Sequence, residues 1–162
     1  SGSIAPASPA GYLVNVRFSM TQWLFSTTKK SGWAPFLVFC VYAVAAKGFN
    51  AYLVYPWLDI PTHFLGGVAI TYFFLTAIEH SENLVGATPP IIQRLLAIGL
   101  TAIAAVVWEF LEFLSDYFLA THHNLGVTDT ISDLFFGLLG ATVLVVFSVL
   151  KVRFAASLLS KT

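Results

Sequence analysis

Three carboxylates lie close together in a sequence that is otherwise strongly apolar. They are Glu109, Glu112 and Asp116, and their spacings of three and four residues place them on one stripe of a helix. Buried carboxylates must take a proton, pair with a cation or bind a metal, because bare anions are costly in a low-dielectric site. The two glutamates lie within the apolar run, where they have no helix-capping role.

The same chemistry recurs on two other apolar segments. Asp59 and His63 are four residues apart, as are Asp129 and Asp133, so each pair shares a helix face. Carboxylate oxygens favour hard divalent cations, and an imidazole widens the choice to zinc, manganese or iron. We therefore predict a divalent metal site, with the ion unspecified, whose ligands are Glu109, Glu112, His63 and Asp133. Five further residues are expected around it or at its mouth: Asp59, Asp116, Asp129, Lys47 and Asn50.

Composition places these residues in a membrane protein. The chain has 162 residues, of which 57% are hydrophobic and 10% charged, whereas soluble domains carry about 25% charged residues. Its mean hydropathy is +0.81. These values predict a polytopic protein with one domain and the lipid bilayer as its partner. The formal net charge of zero does not suggest a nucleic-acid partner.

Four segments are long enough to span a bilayer, which requires about 20 apolar residues. They lie at 33–55, 61–79, 95–120 and 131–150, separated by turn-forming residues. We predict an all-α membrane fold, with four transmembrane helices in an antiparallel bundle over residues 33–155. Residues 1–32 are predicted to form an N-terminal arm that contains an amphipathic helix in the membrane interface. An irregular arm packed on the bundle is the alternative.

The basic residues predict the orientation. If there are four spans, seven of the eight lysines and arginines fall on one side, which should be cytoplasmic together with both termini. A bacterial inner (plasma) membrane is the expected location. Six of the eight acidic residues crowd the opposite end of the bundle: Asp59, Glu109, Glu112, Asp116, Asp129 and Asp133.

Helical rise gives the depth of the polar residues. Glu109 lies fourteen residues after Leu95, or ~21 Å into a hydrocarbon core of ~30 Å. Lys47 reaches a similar depth from Trp33 and could neutralise Glu109. Ionisable residues at such depths face the bundle interior or a water-filled cavity, so the stripes should face one another.

Each of these residues also has a simpler interpretation. Asp59, Asp129 and Asp133 could cap helices, with Thr130 and Asp133 spaced as in a capping box. His63 could be a hydrogen-bonded interior histidine, and Glu109 could form a structural ion pair with Lys47. His122 and His123 could close over the cavity or be solvated. The glycines at 66, 67, 137 and 140 favour close helix packing.

The order of these motifs resembles a known group of proteins. Asp59-x-x-x-His63-Phe64, Trp108-Glu109-x-x-Glu112, Asp129-Thr130-x-x-Asp133 and Gly137-x-x-Gly140 follow one another as in VanZ-like membrane proteins. The similarity is greater still to the YjdF-like bacterial inner-membrane proteins. The resemblance implies a shared polar constellation on four helices and a link to the cell envelope, and it names no substrate.

Three functions are compatible with the sequence. The first is a cation- or metal-binding protein whose site lies at the non-cytoplasmic end of the bundle. The second is a non-catalytic accessory subunit of a larger membrane complex, with other membrane subunits as partners. The third is an ion- or proton-coupled transporter. Whether the protein is an enzyme is left open, since no arginine is expected on the side of the acids to grip a phosphate.

Overall fold

The computed structural model describes residues 19–121 and 125–159, which form helices with short connections and no β-strand among them. The all-α prediction is confirmed for these residues. In chain order the elements are α1 (Met20–Ser31), α2 (Trp33–Ala43), a π-helical turn (Val44–Gly48), α3 (Ala51–Val54), a 3-10 turn (Pro56–Leu58), α4 (Asp59–Val85), α5 (Pro90–Leu119) and α6 (Val127–Leu159).

Three helical segments are long and apolar enough to cross a membrane. They are Pro56–Val85, Pro90–Leu119 and Val127–Leu159. They contain nearly all of the predicted spans at 61–79, 95–120 and 131–150. Each helix is longer than its predicted span, since it continues into more polar residues at its ends. Helices long and apolar enough to cross a membrane are therefore confirmed for three of the four predicted spans.

The span predicted at 33–55 is not one continuous helix. Its apolar helical part, Trp33–Ala46, is shorter than the other three and reaches only ~21 Å at the usual helical rise. The chain then widens into the π-helical turn, and Asn50 adopts a left-handed conformation with φ of 49°, which asparagine tolerates better than most residues. A fourth single-helix crossing is not confirmed.

Helix α1 packs across one end of α4. Its first turn is closed by a capping box between Ser19 and Gln22, and the indole nitrogen of Trp23 donates a hydrogen bond of 2.9 Å to the carbonyl oxygen of Ala77. Thr27 is fully buried in this contact. An interfacial orientation of the N-terminal helix is not confirmed, and residues 1–18 of the predicted arm lie outside the described residues.

Replacing Trp23 with phenylalanine should loosen this contact. The substitution keeps an aromatic ring but removes the donor to Ala77, which costs about 1 kcal/mol. We expect the midpoint of thermal unfolding in detergent to fall by about 2–4 °C for a chain of this size. Trp57→Phe is the control, since Trp57 is 63% exposed and its variant should unfold like the unmodified protein. Equal midpoints for both variants would contradict the expectation.

Helix α4 is the centre of the bundle and contacts α1, α2, α5 and α6. Its closest approach is to α6, where a side-chain carbon added at Gly67 would collide with the carbonyl oxygen of Gly137. A carbon added at Gly140 would collide with the carbonyl oxygen of Phe64 in the same way. Small residues at a helix interface permit such contact, so the prediction of close packing is confirmed at these positions.

The outer surface of the bundle is apolar. Many large apolar side chains are exposed on its outer faces, among them Phe36, Phe110 and Phe147. A soluble monomer rarely exposes such continuous apolar surface. The distribution is that of a protein surrounded by lipid, with its small and polar residues turned inward.

Candidate metal centre

Five ionisable side chains from three helices meet at one end of the bundle. They form two groups that share His63, and within each group one possible ligand atom from each residue lies within 4.8 Å of the others. The first group is Asp59, His63 and Asp133, and the second is His63, Glu109 and Glu112. All four residues predicted as ligands are therefore brought together, and Asp59 joins them.

The first turns of α4 place two of these residues. Asp59 and His63 are separated by one helical turn, and the Oδ1 atom of Asp59 lies 3.2 Å from the Nε2 atom of His63. Pro61 lies in the first turn of α4, where its missing N–H has no helical partner to lose. The imidazole is thus held against a carboxylate of its own helix.

The close glycine contact places the third partner. Asp133 and Gly137 are one turn apart on α6, as His63 and Gly67 are on α4, and both helices run in the same direction. Contact between Gly67 and Gly137 therefore brings Asp133 next to His63, with its Oδ1 atom 3.8 Å from the Nε2 atom. Asp133 is only 1% exposed.

Helix α5 contributes two buried glutamates. The exposures of Glu109 and Glu112 are 6% and 8%, and the indole nitrogen of Trp108 donates a hydrogen bond of 2.9 Å to the Oε1 atom of Glu112. Neither oxygen of Asp133 meets a hydrogen-bond donor in the described part of the chain. The two oxygens of Glu109 also lack a hydrogen bond of ordinary geometry among the described residues. The Thr130 hydroxyl is their polar neighbour.

This arrangement is electrostatically unfavourable by itself. Four carboxylates and one imidazole occupy a small buried volume, and at least one carboxylate has no donor among the described residues. Protons or a cation must compensate such groups. Oxygen-rich sites with one imidazole suit manganese, iron or zinc. The residues present therefore fit a divalent cation held by α4, α5 and α6.

Comparison with known proteins places the chain in a family. A family model described as predicted membrane protein (DUF2238) matches residues 10–153. The chain belongs to this family. Nothing in the match indicates the VanZ-like or YjdF-like proteins, so the resemblance drawn from the motifs is wrong. Acids and glycines at helical spacings recur wherever packed helices bury a polar cluster, which makes them weak markers of ancestry.

One curated relative of this DUF2238 protein is an uncharacterized protein from Thermotoga maritima. The two sequences are 32% identical over 101 residues, which cover 62% of the chain and 52% of the relative. The aligned region is thus about half the length of that relative. No solved structure matches the chain.

Two residues predicted to lie around the site, Asp116 and Asp129, make contacts outside the cluster. Neither group of possible metal ligands among the described residues includes Asp116 or Asp129. The Oδ1 atom of Asp116 accepts a hydrogen bond of 2.6 Å from Thr121, and Asp129 accepts one of 2.8 Å from the backbone nitrogen of Leu125. These contacts hold Thr121, just after α5, and Leu125, just before α6.

Three predicted residues cannot be placed in contact with the site. The side chain of Lys47 and all of His122 and His123 lie outside the described residues, so the Lys47–Glu109 pair remains a prediction. Asn50 lines a recess of about 440 Å³ together with Asp59 and Glu112. The recess therefore borders two carboxylates of the cluster.

The capping interpretations have different outcomes at each aspartate. The start of α4 has no side-chain cap, and Asp59 contacts His63 instead. Helix α6 begins at Val127, which places Asp129, Thr130 and Asp133 inside it. Asp129 does bond the backbone just before the helix. None of the three aspartates is the N-cap residue of its helix in the described chain, and Asp129 instead bonds the backbone that precedes α6.

Sequence reasoning missed two aromatic residues at the site. Trp108 precedes Glu112 by four residues, so the helical spacing itself could have identified this donor. Tyr42 of α2 lines the recess beside Glu112, and its ring lies 5.4 Å from that of Trp108, centroid to centroid. Nothing in the local sequence distinguishes Tyr42 from the other aromatic residues of α2.

Proposed function

We propose that this DUF2238 protein binds a divalent cation within the membrane, near the non-cytoplasmic end of its helical bundle. The ligands would come from Asp59, His63, Glu109, Glu112 and Asp133. The observation that carries the proposal is the Asp133 carboxylate, which is 1% exposed, lies beside His63 and has no hydrogen-bond donor among the described residues. A cation would satisfy its oxygens and offset the repulsion among the four carboxylates.

The sidedness of the site is part of the proposal. Lys29, Lys30 and Arg94 lie at the end of the bundle opposite the acids, which the positive-inside rule assigns to the cytoplasm. The cation site would then face the outside of a bacterial plasma membrane. Both chain termini would lie in the cytoplasm if the chain crosses four times.

Contacts of α2 and α3 with α4 give the direction of the first predicted span. The ring of Trp33 lies 6.4 Å from that of Tyr72, deep in α4. Further along, the hydroxyl of Tyr52 is 2.7 Å from that of Thr62 in the first turns of α4. The segment 33–52 therefore runs antiparallel to α4, and we propose that it crosses the bilayer as a helix interrupted near the cation site.

A transporter has less support than a binding site. Each of α4, α5 and α6 has a stretch of at least fourteen residues without an acidic, basic or histidine side chain, at 64–78, 95–108 and 134–150. Ionisable relays across membranes use such residues along the whole path.

An accessory subunit remains compatible with the same site, since a bound cation could stabilise an assembly. Partner chains that co-purify would identify that role.

Metal analysis of the purified protein tests the proposal. The protein is loaded with Mn²⁺, Zn²⁺ or Fe²⁺, freed of excess ion, and analysed by mass spectrometry of the elements. We expect about one ion per chain for at least one metal, displaced by a chelator. Absence of bound ion with all three metals, at concentrations that saturate ordinary carboxylate sites, would overturn the proposal.

The variant Glu112→Gln should weaken cation binding about tenfold, as removal of a supporting ligand does. The effect is moderate because one oxygen of Glu112 already accepts the bond from Trp108. Glu79→Gln is the matched control, since Glu79 is exposed beside Lys30 at the opposite end of α4. Calorimetric titration should give the same affinity for this control and the unmodified protein.

A further inference from the structure

An apolar cavity lies directly inward of the cation site. Its volume is about 140 Å³, and it is lined by residues of α2, α4 and α5 together with Gly137 of α6. His63 and Thr62 lie at its polar end, and Gly66 and Ala104 form part of its wall. The candidate site and the cavity therefore share His63, whose ring borders both the carboxylates and the apolar lining.

The two threonine hydroxyls that line the cavity already have hydrogen-bond partners. The Thr62 hydroxyl contacts the Leu58 carbonyl oxygen at 2.8 Å and the Tyr52 hydroxyl at 2.7 Å. The Thr101 hydroxyl bonds the Ala97 carbonyl oxygen and the Thr71 hydroxyl, each at 2.8 Å. Water needs several free polar partners to occupy a cavity, whereas apolar cavities of about 150 Å³ stay dry and bind benzene.

One wall of the cavity is loosely closed. In the described part of the chain α2 packs on α4 but has no extensive contact with α5. Aromatic rings bridge this gap, with the centroid of Trp108 lying 6.3 Å from that of Phe39 and 5.4 Å from that of Tyr42. In a bundle whose α4 and α5 cross the bilayer, this gap would face lipid chains.

We propose that the cavity holds a hydrocarbon segment of about six carbons from a lipid, either acyl or isoprenoid, whose polar end reaches His63. A membrane lipid would thus be the ligand class of the cation site, and in this respect the inference rests on the proposed function. The chain would enter between α2 and α5 beside Trp108. This orientation places the polar end of the lipid beside His63 and Thr62 and its hydrocarbon against the apolar lining.

Filling the cavity tests this proposal. A side-chain carbon added at Gly66 meets no atom within 4 Å, so Gly66→Leu can fill the cavity without disturbing the helix contact. Gly99 has the same free space but lies exposed on α5, which makes Gly99→Leu the matched control. Ala104→Leu fills the cavity from the opposite wall if Gly66→Leu does not fold.

The readout is photolabelling in nanodiscs with an acyl probe that carries a diazirine, followed by mapping of the labelled peptides. We expect label on the cavity faces of α2 and α5, about tenfold less in Gly66→Leu and unchanged in Gly99→Leu. Unlabelled fatty acyl and polyprenyl competitors distinguish the two lipid sources, and displacement by either one supports the proposal. Label that neither competitor displaces, or that Gly66→Leu and Ala104→Leu leave unchanged, overturns it.

Cation binding measured on the same preparations separates this inference from the proposed function. Saturable labelling that depends on Gly66, in a protein that binds no cation, would overturn the cation site and keep the chain-binding cavity. Intact cation binding with labelling independent of Gly66 would overturn only the lipid inference. The Gly66→Leu variant should retain its cation, because Gly66 contributes no ligand.

Discussion

Replacing Asp133 with asparagine should lower the affinity for a divalent cation by about 100-fold, more than the loss of a supporting residue. The carboxylate is fully buried, close to His63, and has both oxygens free of donors in the described part of the chain. An amide of the same shape keeps one weaker ligand oxygen and removes the charge that the cation would neutralise. Titration calorimetry on the metal-free protein measures the change.

The same variant should be more stable than the unmodified protein when no metal is present. A buried charge without a partner destabilises the folded state, so its removal should raise the free energy of unfolding by about 1–2 kcal/mol. A loss of cation affinity together with a gain in stability indicates a ligand whose buried charge destabilises the metal-free protein. A purely structural residue would lose stability when it is replaced.

Asp129→Asn is the matched control for both measurements. Asp129 lies one turn earlier on the same helix and is outside both groups of possible metal ligands. Its carboxylate accepts a hydrogen bond from the backbone nitrogen of Leu125. Its replacement should leave cation affinity within twofold, a change of less than about 0.5 kcal/mol. If Asp133→Asn and Asp129→Asn gave equal affinities, the carboxylate of Asp133 would not be a ligand.

The meeting of Glu109, Glu112, His63 and Asp133 was predictable from the sequence. Helical spacing fixes which residues share a stripe, and the cost of charge in lipid turns every such stripe inward. These two rules require no knowledge of the loops. Whether the cluster binds a metal remains a prediction, since the same rules hold for a cluster neutralised by protons.

The details around the cluster could not be obtained in the same way. Asp59 has the sequence context of a helix cap, and only the three-dimensional position of His63 decides that its carboxylate turns inward. The interruption after Trp33–Ala46 depends on backbone geometry at Val44–Gly48 and Asn50. Hydropathy averages over such local features, so it predicted one span over 33–55.

Gly67→Ala is expected to have the largest effect on the fold. The added carbon would overlap the carbonyl oxygen of Gly137, so α4 and α6 must move apart, at a cost of about 1–3 kcal/mol. Gly66→Ala is an unusually close control, because Gly66 is the preceding residue of the same helix and an added carbon there meets no atom within 4 Å. Helix propensity alone should stabilise both variants by up to about 1 kcal/mol.

The difference in thermal unfolding between these two variants therefore isolates the contact itself. A lower midpoint for Gly67→Ala than for Gly66→Ala supports the close packing, and equal midpoints contradict it. Because Gly67 and Gly137 lie one turn from His63 and Asp133, separation of the helices should also pull these two side chains apart. Cation affinity should then fall about tenfold in Gly67→Ala, since ligand distances tolerate little change, and stay unchanged in Gly66→Ala. Parallel loss of stability and affinity in one variant alone would mean that the glycine contact positions the ligands.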